Sequence, residues 1–103
     1  MNQVILKGNL TRDPELKVIS SKGKEVSVVN FSIALNKSFK KADGSWDNDV
    51  TFIDCEAWDT AAENIAKKFF RGSCILIENG SLKTESWEKD GQPRSKTKVR
   101  VNR

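Results

Sequence analysis

Apolar and polar residues alternate along most of this chain, a period of two that indicates β-strands rather than helices. The segment TFIDCEAWD (51–59) places its small and aliphatic residues on one face. Its other face carries two large rings, Phe52 and Trp58, beside two carboxylates, Asp54 and Glu56. Carboxylates favour a face turned toward water, where uncovered rings expose apolar surface. The rings therefore need cover, which a bound ligand, a second subunit or a folded-back loop would each supply.

The same alternation marks the other strands, and short polar segments separate them. Strands are predicted at 2–10, continuing irregularly past Pro14 into ELKVIS, and at 25–39, 50–58, 73–87 and 94–102. The segments 21–24 and 89–92 are predicted turns, and 40–49 is a predicted polar loop. Valines of both parities near Val28 predict a β-bulge, and Asn79-Gly80 interrupts the fourth long strand.

Residues 60–71 change to the helical period. Thr60 and Glu63 have the spacing of a capping box, and Gly72 follows the last turn. The resulting order is three strands, one short helix and two strands, which is the order of the OB fold. We therefore predict an all-β chain with one short helix, a five-stranded Greek-key barrel with long hairpin extensions. Residues 1–103 are expected to form one domain, with the helix plugging one end of the barrel.

Composition narrows the function classes. The formal net charge is +4, from 18 Lys+Arg against 14 Asp+Glu, which is a mild hint of a polyanionic partner. The sequence has no histidine and no phosphate-binding glycine motif, so nothing points to an enzyme, a metal or a cofactor. Cys55 and Cys74 are predicted to be buried free thiols. Because the sequence has no long apolar run and no signal-peptide layout, we expect a cytoplasmic protein.

Five of the eight aromatic residues fall on otherwise polar faces or loops. Phe31 and Phe69 are predicted core residues, and Phe70 is predicted to be partly buried. The five remaining rings are Phe39, Phe52, Trp58, Trp87 and Trp46. Rings interleaved with basic residues suit unpaired nucleic acid, because bases stack on the rings and cations neutralise phosphates. The candidate phosphate contacts are Lys7, Lys37, Lys40, Lys41, Lys83, Arg94, Lys96 and Lys98.

The chain resembles the bacterial and phage single-stranded DNA-binding proteins from Asn2 to Asn102. The resemblance is carried by NQVILKGNLTRDPEL, VVNFSIALNKSF, TFIDCEAWDTAAENIAKKFFRGS and IENGSLKTESWEKDGQPRSKTKVRVN. It implies sequence-non-specific binding of single-stranded DNA in replication, recombination and repair. It also implies that four rings stack on bases, namely Phe39, Phe52, Trp58 and Trp87. Trp46 is a fifth candidate on exposure alone.

The chain also departs from the family pattern. Asp54 stands where the family often has a basic residue, and Glu56 shares its face, so both should weaken phosphate binding unless lysines pair with them. Relatives usually end in an acidic tail that recruits replication and repair enzymes, and this sequence ends at Arg103. Either it is part of a longer chain or it lacks that recruiting function. The family resemblance implies a homo-oligomer, a tetramer rather than a dimer, with Ile5 facing outward from the first strand.

The sequence is also compatible with three other functions. The rings could form a protein interface in an OB-fold interaction module. The partner could be RNA, which offers the same bases and phosphates. A small OB-fold nuclease could use Asp or Glu side chains.

Overall fold

The computed structural model describes residues 1–102, apart from the side chain of Ser21. It contains six strands and one helix. The elements are β1 (Val4–Leu10), β2 (Glu15–Ser21), β3 (Lys24–Lys40), β4 (Trp46–Trp58), α1 (Asp59–Lys68), β5 (Cys74–Lys89) and β6 (Gln92–Val101). The first predicted strand, expected to continue irregularly past Pro14, is instead divided there into β1 and β2.

The strands pair in a ring. Their order is β1-β5-β6-β4-β3-β2, and β1 also pairs with β3 through Asn9↔Ala34 and Leu10↔Ile33. All neighbouring pairs are antiparallel except β4 and β6, which run parallel. Gly8 allows the closure, because a Cβ atom there would lie 2.7 Å from the carbonyl oxygen of Ala34. This closed five-stranded sheet, with β2 appended to β3, has the predicted OB-fold arrangement.

One hydrophobic core fills the ring. Its buried residues are Leu10, Val29, Phe31, Ile33, Cys55, Ala57, Ala62, Ile65, Ile75, Ile77, Val99 and Val101. The strand members come from alternate positions, as the period of two predicts. Ala62 and Ile65 add the buried face of α1, so the helix closes the core as expected.

Two hairpins extend well beyond this core. β3 and β4 pair without interruption from Val28↔Trp58 to Lys40↔Trp46, and β5 and β6 pair out to Lys89↔Gln92. The radius of gyration is 16.3 Å, against about 13 Å for a compact chain of this length. Asp90 and Gly91 both have positive φ, which fits the predicted two-residue turn of the β5–β6 hairpin. The prediction of long hairpins is therefore confirmed.

Several local predictions were wrong. The register of β3 is continuous past Val28 with both of its partners, so there is no bulge; Val28 is instead buried on the outward parity, directly opposite Trp58. No capping box forms, because β4 runs directly into α1 and Trp58 is the N-cap, with no side-chain cap hydrogen bond. Strand β4 begins at Trp46, so the predicted loop 40–49 is shorter than expected.

The fourth long strand does carry an irregularity where the sequence indicated one. The β1–β5 register shifts by one residue between Leu6↔Ile77 and Val4↔Gly80. Cys55 and Cys74 are both free thiols, but only Cys55 is buried. Cys74 is exposed because Ile75 and Ile77 occupy the inward positions of β5. Burial raises the pKa of the Cys55 thiol to about 12, with a smaller effect from Asp54, so this thiol is unreactive.

The two phenylalanines Phe31 and Phe70 provide a matched test of the core. Phe31 is 1% exposed and Phe70, which was expected to be partly buried, is 66% exposed. We expect Phe31→Ala to lower the free energy of unfolding by about 3–5 kcal/mol, because it removes a buried ring and leaves a cavity. Phe70→Ala should change it by less than about 0.5 kcal/mol. Urea unfolding at one protein concentration measures both, and equal losses would contradict the core assignment.

Candidate nucleic-acid interface

Strand register gathers most of the candidate residues on one surface. Even-numbered residues of β4 share a face with even-numbered residues of β6, and these with the odd-numbered residues of β5 beyond Gly80. Before the register shift the odd-numbered residues Ile75 and Ile77 point into the core instead. We call this surface the outer face. Its members on the three strands are Phe52, Asp54, Glu56, Trp58, Arg94, Lys96, Lys98, Arg100, Lys83, Glu85 and Trp87.

The candidate rings are accessible to a ligand to different degrees. Phe52 is 66% exposed, Trp87 is 45% exposed and Trp46 is 69% exposed. Trp58 is half-buried, because other side chains of the outer face surround it. Trp46, expected in a loop, is the first residue of β4 and has the same parity as Phe52 and Trp58. It therefore extends the row of rings along β4 toward the tip of the hairpin.

Phe39 lies on the opposite local face of the β3–β4 hairpin. It pairs with Asp47 and has the parity of Phe31 and Ile33, which point into the core. Beyond the core that face is uncovered, so Phe39 is 41% exposed. The right-handed twist of a two-stranded ribbon rotates its faces along its length. A flexible ligand that winds around the hairpin can thus reach both Phe39 and Phe52.

Trp58 is held by two charged neighbours. Its indole Nε1–H donates a hydrogen bond to Glu56 Oε2 at 2.7 Å. The guanidinium carbon of Arg100 lies 5.0 Å from the centroid of the indole ring, a cation–π contact. Trp58 also lines an open cleft of about 470 Å³ between the end of β4 and α1, together with Asp59, Thr60, Ala61, Asn64 and Asn102.

The carboxylates of the outer face are paired with lysines. Asp54 Oδ2 lies 2.5 Å from Lys96 Nζ. Lys98 Nζ bridges two acids, at 2.6 Å from Glu85 Oε1 and 3.2 Å from Glu56 Oε1. The sequence predicted that Asp54 and Glu56 would weaken phosphate binding unless lysines paired with them. Both carboxylates do have a lysine partner. Lys96 and Lys98 are consequently less available for phosphates than their positions on the strand suggested.

These pairings shift the pKa values of the groups involved. The hydrogen bond from Lys96 is the main reason that the pKa of Asp54 is lowered. The hydrogen bond from Lys98 lowers the pKa of Glu85 in the same way. Burial opposes the charge on Lys98, but its ion pairs with Glu85 and then Glu56 outweigh this effect and raise the pKa of Lys98. All three groups are therefore charged near neutral pH.

The other basic candidates differ in their surroundings. Within residues 1–102, no carboxylate lies at ion-pair distance from Lys83, Arg94 or Arg100, which share the outer face. Lys41 is 3.5 Å from Asp47 near the tip of the β3–β4 hairpin. Lys37 and Lys40 are exposed on opposite faces of that hairpin. Lys7 lies on β1 opposite Leu76, away from the outer face.

The sequence did not reveal the contacts of two residues of this surface, Arg100 and Glu56. Arg100 is not among the residues predicted to contact phosphates, and its contact with Trp58 depends on the parallel pairing of β4 with β6. Glu56 was expected at a water-facing position but is 2% exposed. The alternation places both residues on the correct face. It does not reveal which side chains cover one another.

Within residues 1–102, no cluster of three or more histidine, cysteine, aspartate or glutamate side chains could hold a metal ion. In the same range, no helix is long and apolar enough to cross a membrane.

Known proteins resemble this chain in sequence over its full length. A family model described as "Single-strand binding protein family" matches residues 1–103. Single-stranded DNA-binding protein 2 of Chlorobaculum tepidum is 35% identical over 100% of this chain and 68% of its own length. The single-stranded DNA-binding protein of Wolinella succinogenes is 44% identical over 95% of this chain and 59% of that protein. The chain thus spans about 59–68% of the length of these relatives.

Solved structures give the same fold. A deletion mutant of the single-stranded DNA binding protein from Thermus aquaticus superposes with a TM-score of 0.80 at 26% identity, over 99% of this chain and 48% of that one. The Plasmodium falciparum SSB, solved in complex with ssDNA, gives a TM-score of 0.84 at 22% identity, over 98% of this chain and 86% of that one. This second likeness concerns the fold alone. With the closed five-stranded sheet and the full-length family match together, the chain belongs to the single-strand binding protein family.

Proposed function

We propose that this protein binds single-stranded DNA without strong sequence preference and protects it during replication, recombination and repair, without catalysing a reaction. The supporting observation is that Phe52, Trp58 and Trp87 share one outer face with Lys83 and Arg94. Stacking accepts any base, because every base has a flat apolar face. Cations beside the rings neutralise the phosphates of the same strand.

The proposed path of the DNA follows the outer face and then winds around the β3–β4 hairpin. Trp87, Trp58 and Phe52 would stack bases along the barrel, and Trp46 and Phe39 along the hairpin. Lys83 and Arg94 are the strongest candidates for phosphate contacts, since neither has an acidic partner within residues 1–102. Lys37, Lys40, Lys41 and Lys7 are secondary candidates. One fold should occupy about 4–16 nucleotides.

The family membership supports this proposal, because the matched relatives are named single-stranded DNA-binding proteins. We further propose that residues 1–103 act as one DNA-binding domain. We also propose a cytoplasmic location. The protein would act at the nucleoid or, if it is viral, in the cytoplasm of the host. RNA is a competing ligand. Comparing the Kd values for oligo-U and oligo-dT by fluorescence anisotropy would rank the two.

We also propose that the chain assembles into a homo-oligomer, a tetramer rather than a dimer. Strand β1 presents Ile5 on the outside of the ring, and Leu76 of β5 is exposed beside it, opposite Lys7. Apolar side chains exposed on neighbouring strands are an energetic cost that a second subunit removes.

Removal of a stacking ring should weaken DNA binding. We expect Trp58→Ala and Trp87→Ala each to raise the Kd for fluorescein-labelled oligo-dT by about 5- to 150-fold, from about 1–3 kcal/mol per stacked base. Phe70→Ala is the control, because Phe70 is an aromatic residue that is even more exposed, at 66%, but lies outside the outer face. Fluorescence anisotropy measures the affinity. If Phe70→Ala weakened binding as much as the two tryptophan variants, the rings would not act by stacking on this face.

Release of Lys96 should add one phosphate contact. In Asp54→Asn the partner of Lys96 loses its charge, so we expect tighter oligo-dT binding at low salt. The slope of log K against log salt should become steeper by about 0.7, the value for one phosphate on a single strand. Glu25→Gln makes the same charge change on β3 outside the outer face, where Glu25 pairs with Ser20 of β2. Equal slopes for the two variants would contradict a role for Lys96 beside the DNA.

The assembly proposal has its own test. Multi-angle light scattering at micromolar concentration should give the mass of a tetramer for the unaltered protein. Ile5→Glu should lower the mass, because a charge at that position cannot be buried in an apolar contact. Glu88→Gln changes an exposed residue on the β5–β6 hairpin and should leave the mass unchanged. A monomer in the unaltered protein would contradict the proposal.

A further inference from the structure

Glu56 is a buried acid in the middle of the outer face. It is 2% exposed, and it is the one charged residue in the buried set of residues 1–102. A buried carboxylate is costly unless partners compensate it. An apolar side chain at position 56 would avoid this desolvation cost. The contacts that Glu56 makes indicate what the carboxylate contributes in return.

Each oxygen of Glu56 has a different neighbour. Oε2 accepts the hydrogen bond from Trp58 Nε1 at 2.7 Å. Oε1 lies 3.2 Å from Lys98 Nζ, an ion-pair distance without hydrogen-bond alignment. Lys98 is itself fixed by Glu85 at 2.6 Å. The carboxylate therefore connects an anchored lysine on β6 to the edge of the indole ring.

The contact constrains the direction in which the ring of Trp58 points. An indole has one hydrogen-bond donor, so a bond at Nε1 to a buried and anchored acceptor fixes the rotation of the ring. Arg100 lies over the ring as well, at 5.0 Å from its centroid. The side chains of Trp46 and Trp87 have no such bond within residues 1–102. Trp58 alone among the three tryptophans is held at its edge.

We propose that Glu56 is a positioning residue for DNA binding: it holds the indole of Trp58 in the orientation in which a base stacks on it. This inference rests on the proposed function. A ring that is already oriented loses less conformational freedom when a base binds. Glu56 touches no base in this arrangement and acts through Trp58.

Two replacements of Glu56 separate its hydrogen bond from its charge. Glu56→Gln and Glu56→Met both remove the charge and have a similar length, but only glutamine keeps an oxygen that can accept the indole N–H. Both should release Lys98 to the same extent, so the charge effect cancels in their comparison. We expect Glu56→Met to bind oligo-dT about three- to tenfold more weakly than Glu56→Gln, the range for one hydrogen bond.

The same comparison in a Trp58→Phe background tests the assignment. Phenylalanine has no N–H, so the two Glu56 variants should then bind oligo-dT equally. A difference that persists in this background, or no difference when Trp58 is present, would overturn the proposal. If Glu56→Met fails to unfold cooperatively, Glu56→Val replaces it in both backgrounds. No oligo-dT binding by the unaltered protein would instead overturn the proposed function.

A measurement without DNA keeps the two proposals distinguishable. In the ¹⁵N NMR spectrum, the indole N–H of Trp58 should exchange with solvent more slowly than those of Trp46 and Trp87. This protection should be retained in Glu56→Gln and lost in Glu56→Met. Equal exchange at Trp58 in both variants would show that Glu56 does not hold the ring.

Discussion

The uninterrupted register of the two long hairpins is the constraint on which the rest of the structure depends. β3 and β4 pair without a slip from Val28↔Trp58 to Lys40↔Trp46, and β5 and β6 are continuous as well. A slip of one residue would exchange the two faces of a strand. Because Cys55 and Ala57 must enter the core, Phe52 and Trp58 must lie outside it. The outer face is thus a necessary consequence of the core rather than an independent feature.

On the outer face, the carboxylates that lie among the apolar rings are paired with lysines. Lys96 neutralises Asp54, and Lys98 is shared between Glu56 and Glu85. The exposed pair of Asp54 with Lys96 contributes little to stability, whereas Glu56 is buried and depends on its partners for compensation. The pairs also have a geometric consequence, because Glu85 holds Lys98 beside Glu56, which accepts the indole hydrogen bond of Trp58. The contacts of the indole ring with Glu56 and Arg100 therefore restrict its rotation.

Strand alternation predicted the fold and the face on which most of the candidate residues lie, because each inward or outward position depends only on parity. It identified the core face around Phe31, the outward rings Phe52 and Trp58, and the turn at Asp90-Gly91. It failed where the outcome depends on neighbours from other strands. The burial of Glu56 requires Lys98 and the parallel pairing of β4 with β6, which no local pattern contains. The absent capping box has a similar cause, since the direct entry of β4 into α1 replaced Thr60 as the cap.

The balance between paired cations and exposed rings also bears on which form of DNA this face would favour. Binding to duplex DNA depends mainly on phosphate neutralisation, since the faces of its bases are stacked inside the helix. Here two of the basic residues of the outer face, Lys96 and Lys98, are already engaged by carboxylates. The rings Phe52 and Trp87 remain exposed and offer nothing to a duplex. Internal charge pairing thus reduces the attraction for any polyanion, while the rings add attraction only for unpaired bases, so the two effects together favour single strands over duplex.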